Sequence, residues 1–464
     1  MLAAGEGKRL KSATPKVLHP VCGRPALWHV VRTALAARPD RLVLVVGHGA
    51  DEVRDAVRSW DLPVEPVFVL QREQLGTGHA VLVSKRAVGR ADDVLVANGD
   101  LDPVTPQDVR AIIRRHRRTG AAATIGSAFL DEPGGYGRVV REGKRVVGVV
   151  EGVDADPAIR AIHEVATNWI AFRREPLFAT LPRVDRKNRQ REYYLNRAIT
   201  LMIEQGERVE AVVCDTGGTM GLNSRSGLAS VSRVLRDRIN ATHLANGVTL
   251  IDPASTFIDV EVRIGRDTEI RPHTHLGGAT SIGRDCTIGP STEIRDSTVG
   301  NGSSVRVSLL DGSRIGRDVE VGPFARVRDG AVIEDGAVVG NFVEVKGSRV
   351  GRRAKAKHLA YVGDADIGAG ANIGAGAVTV NYDGYRKHRT RVGDGASVGS
   401  DTMLVAPVTI GEGAVTGAGS VITKDVPPGA LAVERAEQRT VPGYRQRKDA
   451  EHADRRRSRR AKGG

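Results

Sequence analysis

Aliphatic residues recur at every sixth position through the second half of the chain, and this period constrains the fold more than any other feature. From Ile264 the sixth residues are Ile270, Leu276, Ile282, Ile288 and Ile294. A second series runs Ile315, Val321, Val327, Ile333, Val339, Val345, and a third Val392, Val398, Leu404, Ile410. Six is a multiple of the strand period of two and does not fit the helical period, so each hexad reads as a short extended segment and a turn. Three hexads closing a triangular coil, with the aliphatic residues stacked inside, predict a left-handed parallel β-helix. A β-sandwich with evenly spaced turns would not keep this register over consecutive hexads. Glycine often follows the aliphatic residue, as at Gly265, Gly289, Gly316, Gly340 and Gly374, and glycine and small polar residues are expected to supply the positive-φ corners. The 55 glycines and the aromatic content of 4% fit a repetitive core of small side chains. The columns are interrupted at residues 380–389, and a loop thrown off a rigid scaffold is where function concentrates.

Upstream the pattern changes. Apolar runs at Leu42–Val46, Pro66–Leu70, Val94–Ala97 and Ala122–Ile125 alternate with helical stretches at Ala26–Ala37 and Pro106–Arg118, the α/β alternation of a doubly wound, Rossmann-like sheet. Apolar residues at Val231, Val234, Leu235 and Ile239 predict a helix connecting the two parts. The expected layout is residues 1–227 as the α/β domain, 228–247 as the connecting helix, 248–440 as the β-helix and 441–464 as a tail. The tail holds nine Lys/Arg against three acids and few apolar residues, the composition of a disordered basic extension.

The net charge of +14 favours anionic partners: phosphorylated substrates, nucleic acid or a membrane surface. Cys22, Cys214 and Cys286 lie far apart, giving neither a disulfide framework nor metal-ligand spacing, which fits a reducing compartment. No run of 18 apolar residues is present, and Met1 opens into Leu2-Ala3-Ala4-Gly5, not a signal sequence. A soluble cytoplasmic protein without membrane insertion is the expectation.

Three segments carry the chemistry of the first part. Leu2-Ala3-Ala4-Gly5-Glu6-Gly7-Lys8-Arg9, followed by Pro15-Lys16, is a glycine-containing turn with cations behind it, suited to phosphate. Gln74-Leu75-Gly76-Thr77-Gly78-His79-Ala80 is a second glycine-rich loop, able to admit a flat base. Asn98-Gly99-Asp100 follows a strand, so Asp100 stands at a carboxyl end, where open α/β sheets bind ligands and a carboxylate can hold Mg²⁺. Read singly, each segment is also compatible with an ordinary turn or cap.

Together with Gly135-Tyr136-Gly137-Arg138, Val150-Glu151, Glu192-Tyr193-Tyr194 and Gly221-Leu222-Asn223-Ser224-Arg225, these segments resemble the GlmU family, bifunctional enzymes of UDP-N-acetylglucosamine synthesis. The resemblance runs from Leu2 to about Arg439. It implies a uridylyltransferase domain in which Leu2, Gly5, Arg9, Lys16, Gln74, Gly76 and Thr77 bind UTP. Gly137, Glu151 and Asn223 would contact N-acetylglucosamine-1-phosphate, and Asp100 with Asn223 would hold Mg²⁺.

Within the β-helix the resemblance is closer, through Gly322 to Arg328, Gly340 to Lys346, His358 to Asp364, Asn372 to Gly376, Asn381 to Gly384 and Gly399 to Thr402. It implies acetyl transfer from acetyl-CoA to glucosamine-1-phosphate in a homotrimer. His358 would be the base that deprotonates the ammonium of the sugar. Arg328, Lys346 and Lys387 would meet the sugar phosphate, and Tyr361 and Asn372 would position the sugar. Ala375, Asn381, Tyr382, Ser400, Ala418 and Arg435 would line the acetyl-CoA groove, partly supplied by neighbouring subunits, with the Ala375 N–H on the thioester oxyanion.

The chain departs from the family at Ala166-Thr167-Asn168, at Leu195-Asn196-Arg197, where a base replaces an acid, and at Gly99-Asp100-Leu101-Asp102-Pro103. It also begins one residue before Leu2, so the apolar half of the first strand is expected to be missing. These departures set a competing reading, an acetyltransferase whose N-terminal domain has changed or lost its nucleotidyl chemistry. A remote one is a noncatalytic scaffold binding nucleic acid through its repeats and tail.

Overall fold

The computed structural model describes residues 1–461. The chain divides into two compact units, Met1–Asp296 and Ser297–Gly464, so the first coils of the repeat region belong to the first unit.

In the first unit β1 (Leu2–Ala3), β2 (Leu42–Val46) and β3 (Pro66–Leu70) form a small parallel sheet, with Leu2 opposite Val45 and Leu42 opposite Pro66. A second sheet has the order β9-β5-β8-β6-β7, built from β5 (Ala123–Phe129), β6 (Arg138–Glu142), β7 (Arg145–Val150), β8 (Glu164–Arg173) and β9 (Val209–Val213). Strand β8 also pairs with β4 (Asp93–Ala97). Only β9 and β5 run parallel here, so the α/β alternation produces a mixed sheet. Along β8 the side chains alternate: Ile170 and Phe172 enter one core with Ile125, Ile199 and Met202, while Trp169 and Ala171 enter another with Val30, Ile112 and Val231. Helices therefore cover both faces of the sheet.

Local sequence fixes where those helices start and stop. The helix α4 (Pro106–Thr119) opens with a capping box, Thr105 and Asp108 each bonding the other's backbone N–H, and has proline at its start. It ends on Gly120, whose φ of 60° suits glycine. The connecting helix α6 (Arg225–Ala245) starts three residues earlier than the apolar pattern indicates, because Ser224 caps it by accepting from Gly227 N. Its buried Asn240 donates to the carbonyls of Pro253 and Thr256, tying the helix to the first coil.

The hexads fold as expected of a parallel β-solenoid. In the first unit Ile264 stacks on Ile282, Ile270 on Ile288 and Leu276 on Ile294. In the second unit three parallel ladders begin at Thr298–Val299, Ser304–Val305 and Leu309–Asp311 and continue to Val408–Ile410, Leu431–Ala432 and Val421–Ile422. Consecutive hexads fall on different ladders, and apart from the half-buried Ile264 every aliphatic residue of the three series is buried.

Two expectations need correction. The glycines after the aliphatic residues mostly serve close approach. Gly316, Gly340, Gly374, Gly393 and Gly399 do not have positive φ, but a Cβ on any of them would strike the backbone of the next coil. The positive-φ corners fall to other glycines, such as Gly302, Gly330, Gly336 and Gly376, and to small polar residues such as Asp318, Asp329 and Asp364, with Phe324, Phe342 and Leu359 at three more. Residues 444–461 of the tail are also not without structure. They form α7 (Tyr444–Ala461), in which Arg445–Asp449 and Lys448–Glu451 pair along the surface. Its described side chains are all exposed, so Arg, Gln, Glu and Ala sustain a helix by local propensity without a packed face. Among the described residues no helix is long and apolar enough to cross a membrane.

Candidate active sites

In the first unit the loops at the carboxyl ends of the strands converge on a cavity of about 200 Å³, with Leu2, Gly5, Lys16, Gln74, Gly76, Thr77 and Asp100 in its wall. Arg9 is exposed and does not line this cavity. The loop before α3 (Thr77–Val83) is stitched to residues 193–195: Gly78 N donates to Tyr193 O at 2.7 Å, Tyr193 N to Leu75 O at 2.8 Å and Leu195 N to Thr77 Oγ1 at 3.0 Å. Gly76 is required here, since its φ is 111° and a Cβ would lie 2.7 Å from Tyr193 O.

Lys16 Nζ sits 2.7 Å from both Asp100 Oδ2 and Asn223 Oδ1. Two oxygens from segments 123 residues apart thus converge on one positive charge, and Asp100 Oδ1 is buried without a hydrogen-bond partner. This oxygen set suits a hard divalent ion, which takes one or two carboxylates and completes its shell with water or phosphate. Among the described residues no group of three or more His, Cys, Asp or Glu could hold a metal, so a cation here needs the amide oxygen of Asn223 as well as carboxylate.

Next to this site, Glu151 accepts from Asn196 Nδ2 at 2.8 Å. Burial raises its carboxyl above the usual range, and the Asn196 hydrogen bond opposes the rise. A Cβ at Gly137 would lie 2.8 Å from that amide, so Gly137, Glu151 and Asn196 form one cluster. Buried Arg138 holds the preceding turn by donating to the carbonyls of Gly134, Tyr136 and Arg160. The sequence departures fall into place around this cluster. Arg197 pairs with Glu204 at 2.8 Å on the surface, so the exchange of acid for base adds no cation to the cavity. Ala166 keeps its backbone role, donating to Gly137 O at 2.8 Å. Asp102 is buried, and burial together with the Asp100 charge pushes its carboxyl up to about 7.

In the second unit His358 ends the strand Lys355–His358 and faces solvent. Its register partner on the preceding coil is Asn341, and the two side chains bond through His358 Nδ1 and Asn341 Oδ1 at 2.7 Å. With an amide oxygen on Nδ1, that nitrogen donates the hydrogen bond, which leaves Nε2 for other partners. On the adjoining face Arg328, Lys346 and Gly363 are register partners. Arg328 bonds Glu344 at 2.8 Å, and Lys346 lies 3.6 Å from Asp364. A hydrogen bond from Lys346 and its positive charge lower the Lys387 ammonium below its ordinary range. Asn381 Nδ2 links Asp364 Oδ2 at 2.6 Å to the Tyr361 hydroxyl at 3.4 Å. Asn372 lies on a different ladder, in register with Lys355 and Ser397.

Ala375, Ser400 and Ala418 are stacked on successive coils, with Asp401 N on Ala375 O at 2.7 Å and Gly419 N on Ser400 O at 2.8 Å. Arg435 joins this column through a hydrogen bond to Ala418 O. Tyr382 projects from the 380–389 loop, which is braced by Asp383 accepting from His388 and from the backbone of Tyr385 and Arg386.

The sequence profile of the MobA-like NTP transferase domain matches residues 1–192, and that of the bacterial transferase hexapeptide matches residues 312–347 and 389–424. "Bifunctional protein GlmU" of Geobacillus sp. (strain WCH70) is 45% identical over 447 residues, 96% of each chain. The protein of the same name from Syntrophotalea carbinolica is 46% identical over 453 residues, 97% of each chain. That from Thermobifida fusca is 44% identical over 456 residues, 97% of this chain and 94% of the relative. The chain belongs to the GlmU family. It is accordingly a transferase with a nucleotidyltransferase part and a hexapeptide acyltransferase part.

For this GlmU-family chain, the sequence reading assigned no role to Asn341, Asp364, Glu344, Asn196 or the Asp102–Asn168 pair. Asn341 was detectable as the residue one coil, 17 positions, before His358. The others depend on side-chain directions that spacing does not encode.

Proposed function

We propose that the solenoid transfers acetyl from acetyl-CoA to glucosamine-1-phosphate and that the first unit then transfers uridylyl from UTP to the resulting N-acetylglucosamine-1-phosphate. The observation that carries this reading is the Asn341–His358 pair, which engages Nδ1 of an exposed imidazole on an outer face whose neighbouring ladder carries Arg328 and Lys346. His358 Nε2 takes a proton from the sugar ammonium, and the freed amine attacks the thioester carbonyl. The Ala375 N–H steadies the oxyanion, the attacking nitrogen releases its second proton to solvent, the C–S bond breaks, and the imidazolium returns its proton to the coenzyme A sulfur. Arg328, Lys346 and Lys387 hold the sugar phosphate, while Tyr361 and Asn372 orient the ring. Asn381, Tyr382, Ser400, Ala418 and Arg435 receive coenzyme A.

In the first unit Leu2, Gly5, Gln74, Gly76 and Thr77 seat the nucleotide, with Arg9 and Lys16 on its phosphates. Gly137, Glu151 and Asn223 position the acceptor, whose phosphate oxygen attacks the α-phosphorus of UTP as pyrophosphate leaves. Asp100 and Asn223 would hold Mg²⁺, which when bound neutralises charge on the phosphates. The cavity at the strand ends and the Glu151–Asn196 cluster favour retained uridylylation over a lost N-terminal activity.

A homotrimer is part of this proposal. Phe324, Phe342 and Leu359 occupy the same corner of three successive coils and are 56%, 55% and 61% exposed, the two rings stacked 5.1 Å apart. A second copy of the chain is the natural cover for such an apolar ladder. The test measures the half-reactions separately. His358→Ala should cut acetyl transfer by about 10²–10⁴ and leave uridylyl transfer and the melting curve intact. Phe342→Asp should lower the mass in solution toward that of one chain. Near-normal acetylation by His358→Ala overturns the base, and absence of pyrophosphate release by the unaltered chain overturns the second activity.

A further inference from the structure

Asp102 is 2% exposed, and its two carboxylate oxygens are treated differently. Oδ2 accepts from both Asn168 N and Asn168 Nδ2, each at 2.9 Å. Oδ1 is shut away from solvent and has no hydrogen-bond partner. Asn168 reaches Asp102 because β8 breaks register with β5 between Ala166 and Ile170, turning the bulged residue out of the ladder. Oδ1 lies beside the turn that leads to Asn223: a Cβ at Gly221 would lie 3.5 Å from Asp102 Oδ1 and 3.0 Å from both Asn223 Nδ2 and the Tyr136 hydroxyl. The same neighbourhood contains the second orphaned carboxylate oxygen, Asp100 Oδ1.

A buried carboxylate and a half-buried one two residues apart, with one ammonium bonded to only one of them, leave negative charge poorly compensated at considerable cost. The anchoring by Asn168 fixes Asp102 in place while leaving Oδ1 open, the arrangement expected when outer hydrogen bonds orient a ligand oxygen. We propose that Asp102 supplies a further carboxylate oxygen to the divalent cation assigned above to Asp100 and Asn223, with Asn168 as its positioning residue. This rests on that assignment of the cation. Its consequence is that the protein itself, before nucleotide arrives, holds a hard cation such as Mg²⁺ or Mn²⁺ through two carboxylates and an amide oxygen.

The test is Mn²⁺ binding to the full-length, nucleotide-free chain, followed by electron paramagnetic resonance, with circular dichroism confirming the fold of each variant. Asp102→Asn should weaken binding on the order of 10- to 100-fold, and Asn168→Ala should weaken it less, because the backbone donor to Oδ2 remains. If Asp100→Asn abolishes binding and Asp102→Asn matches the unaltered chain, the role of Asp102 is overturned and the Asp100–Asn223 site stands. If neither variant changes binding, the placement of the cation itself fails. Should Asp102→Asn not fold, Fe²⁺-directed oxidative cleavage of the unaltered chain decides the matter. Scission around residues 166–169 as well as 100–102 supports the proposal, and scission that spares 166–169 overturns it.

Discussion

In the first unit Lys16 meets Asn223 across 207 positions of sequence, whereas in the solenoid Asn341 and His358 are 17 positions apart and adjacent because coils stack. The two units also differ in what they bury. The first unit encloses ionisable groups in its interior, with Asp102 pushed up and His116 pushed down by burial. Among the described residues of the second unit, the groups with resolved shifts owe them chiefly to surface hydrogen bonds and ion pairs: Asp335 with Arg317, Asp366 with Arg389, Arg328 with Glu344. A site assembled from distant loops needs a deep core with polar inclusions. A site built on a repeating column needs only an apolar interior and leaves its chemistry on the outside.

The comparison breaks most visibly if a charge enters the column. Ile333→Asp should abolish folding of the solenoid and with it acetyl transfer, while Ile333→Ala should cost about 2–5 kcal/mol, both read from chemical denaturation. Retained acetylation in the aspartate variant would mean that the column is not what holds the second unit together.

Next in size is Asn341→Ala, which removes the group that fixes the tautomer of an exposed histidine. It should lower kcat for acetyl transfer by less than the roughly 10²–10⁴ expected for losing the base itself and shift the acidic limb of the pH–rate profile, with KM and melting nearly unchanged. A change confined to KM would assign Asn341 to substrate binding.

A smaller effect separates the units by pH. His116 is buried against Thr124, and burial holds its pKa below the ordinary 6.5. A histidine with a depressed folded pKa contributes stability that is present above pH 6.5 and is lost as pH falls toward the folded value. His116→Gln should therefore flatten the loss of stability of the first unit between pH 7 and 5, and should not alter the pH response of the second. An unchanged pH dependence would show that this histidine does not titrate on unfolding.

The smallest is Arg197→Ala. Its partner Glu204 is exposed and the pair is worth about 0–1 kcal/mol, so uridylyl transfer should proceed at the normal rate. A marked fall would place the guanidinium in the reaction after all.

How far the fold could be read beforehand follows from the same contrast. Strands at Leu42–Val46 and Pro66–Leu70 and the buried hexad residues were legible because their patterns are local and periodic. The glycine role was misread since sequence shows that a side chain is absent and not what would collide with one; at Gly340 the obstacle is the Lys357 carbonyl of the next coil. Low apolar content hides the tail helix, in which Arg445–Asp449 and its neighbours need only each other. Asn196 with Glu151, and Asn168 with Asp102, were visible as odd residues and not as pairs. Their meeting depends on a strand bulge and on loop paths that no spacing rule records.

The ladder register also dictates where the solenoid tolerates a change of length. Val327 pairs with Val345 and Val392 with Ile410, each 18 positions on, whereas Val299 pairs with Ile315 16 positions on and Val345 with Val362 17, so a coil can shed a residue or two at its turns while its aliphatic side chains stay inside. Ile373 pairs with Val398, 25 positions on, and the surplus of that coil is taken up by the segment bearing Tyr382 and Lys387. Among relatives, long insertions should accumulate in that one bulging segment and differences of a residue or two at the turns, while the paired rungs keep their register.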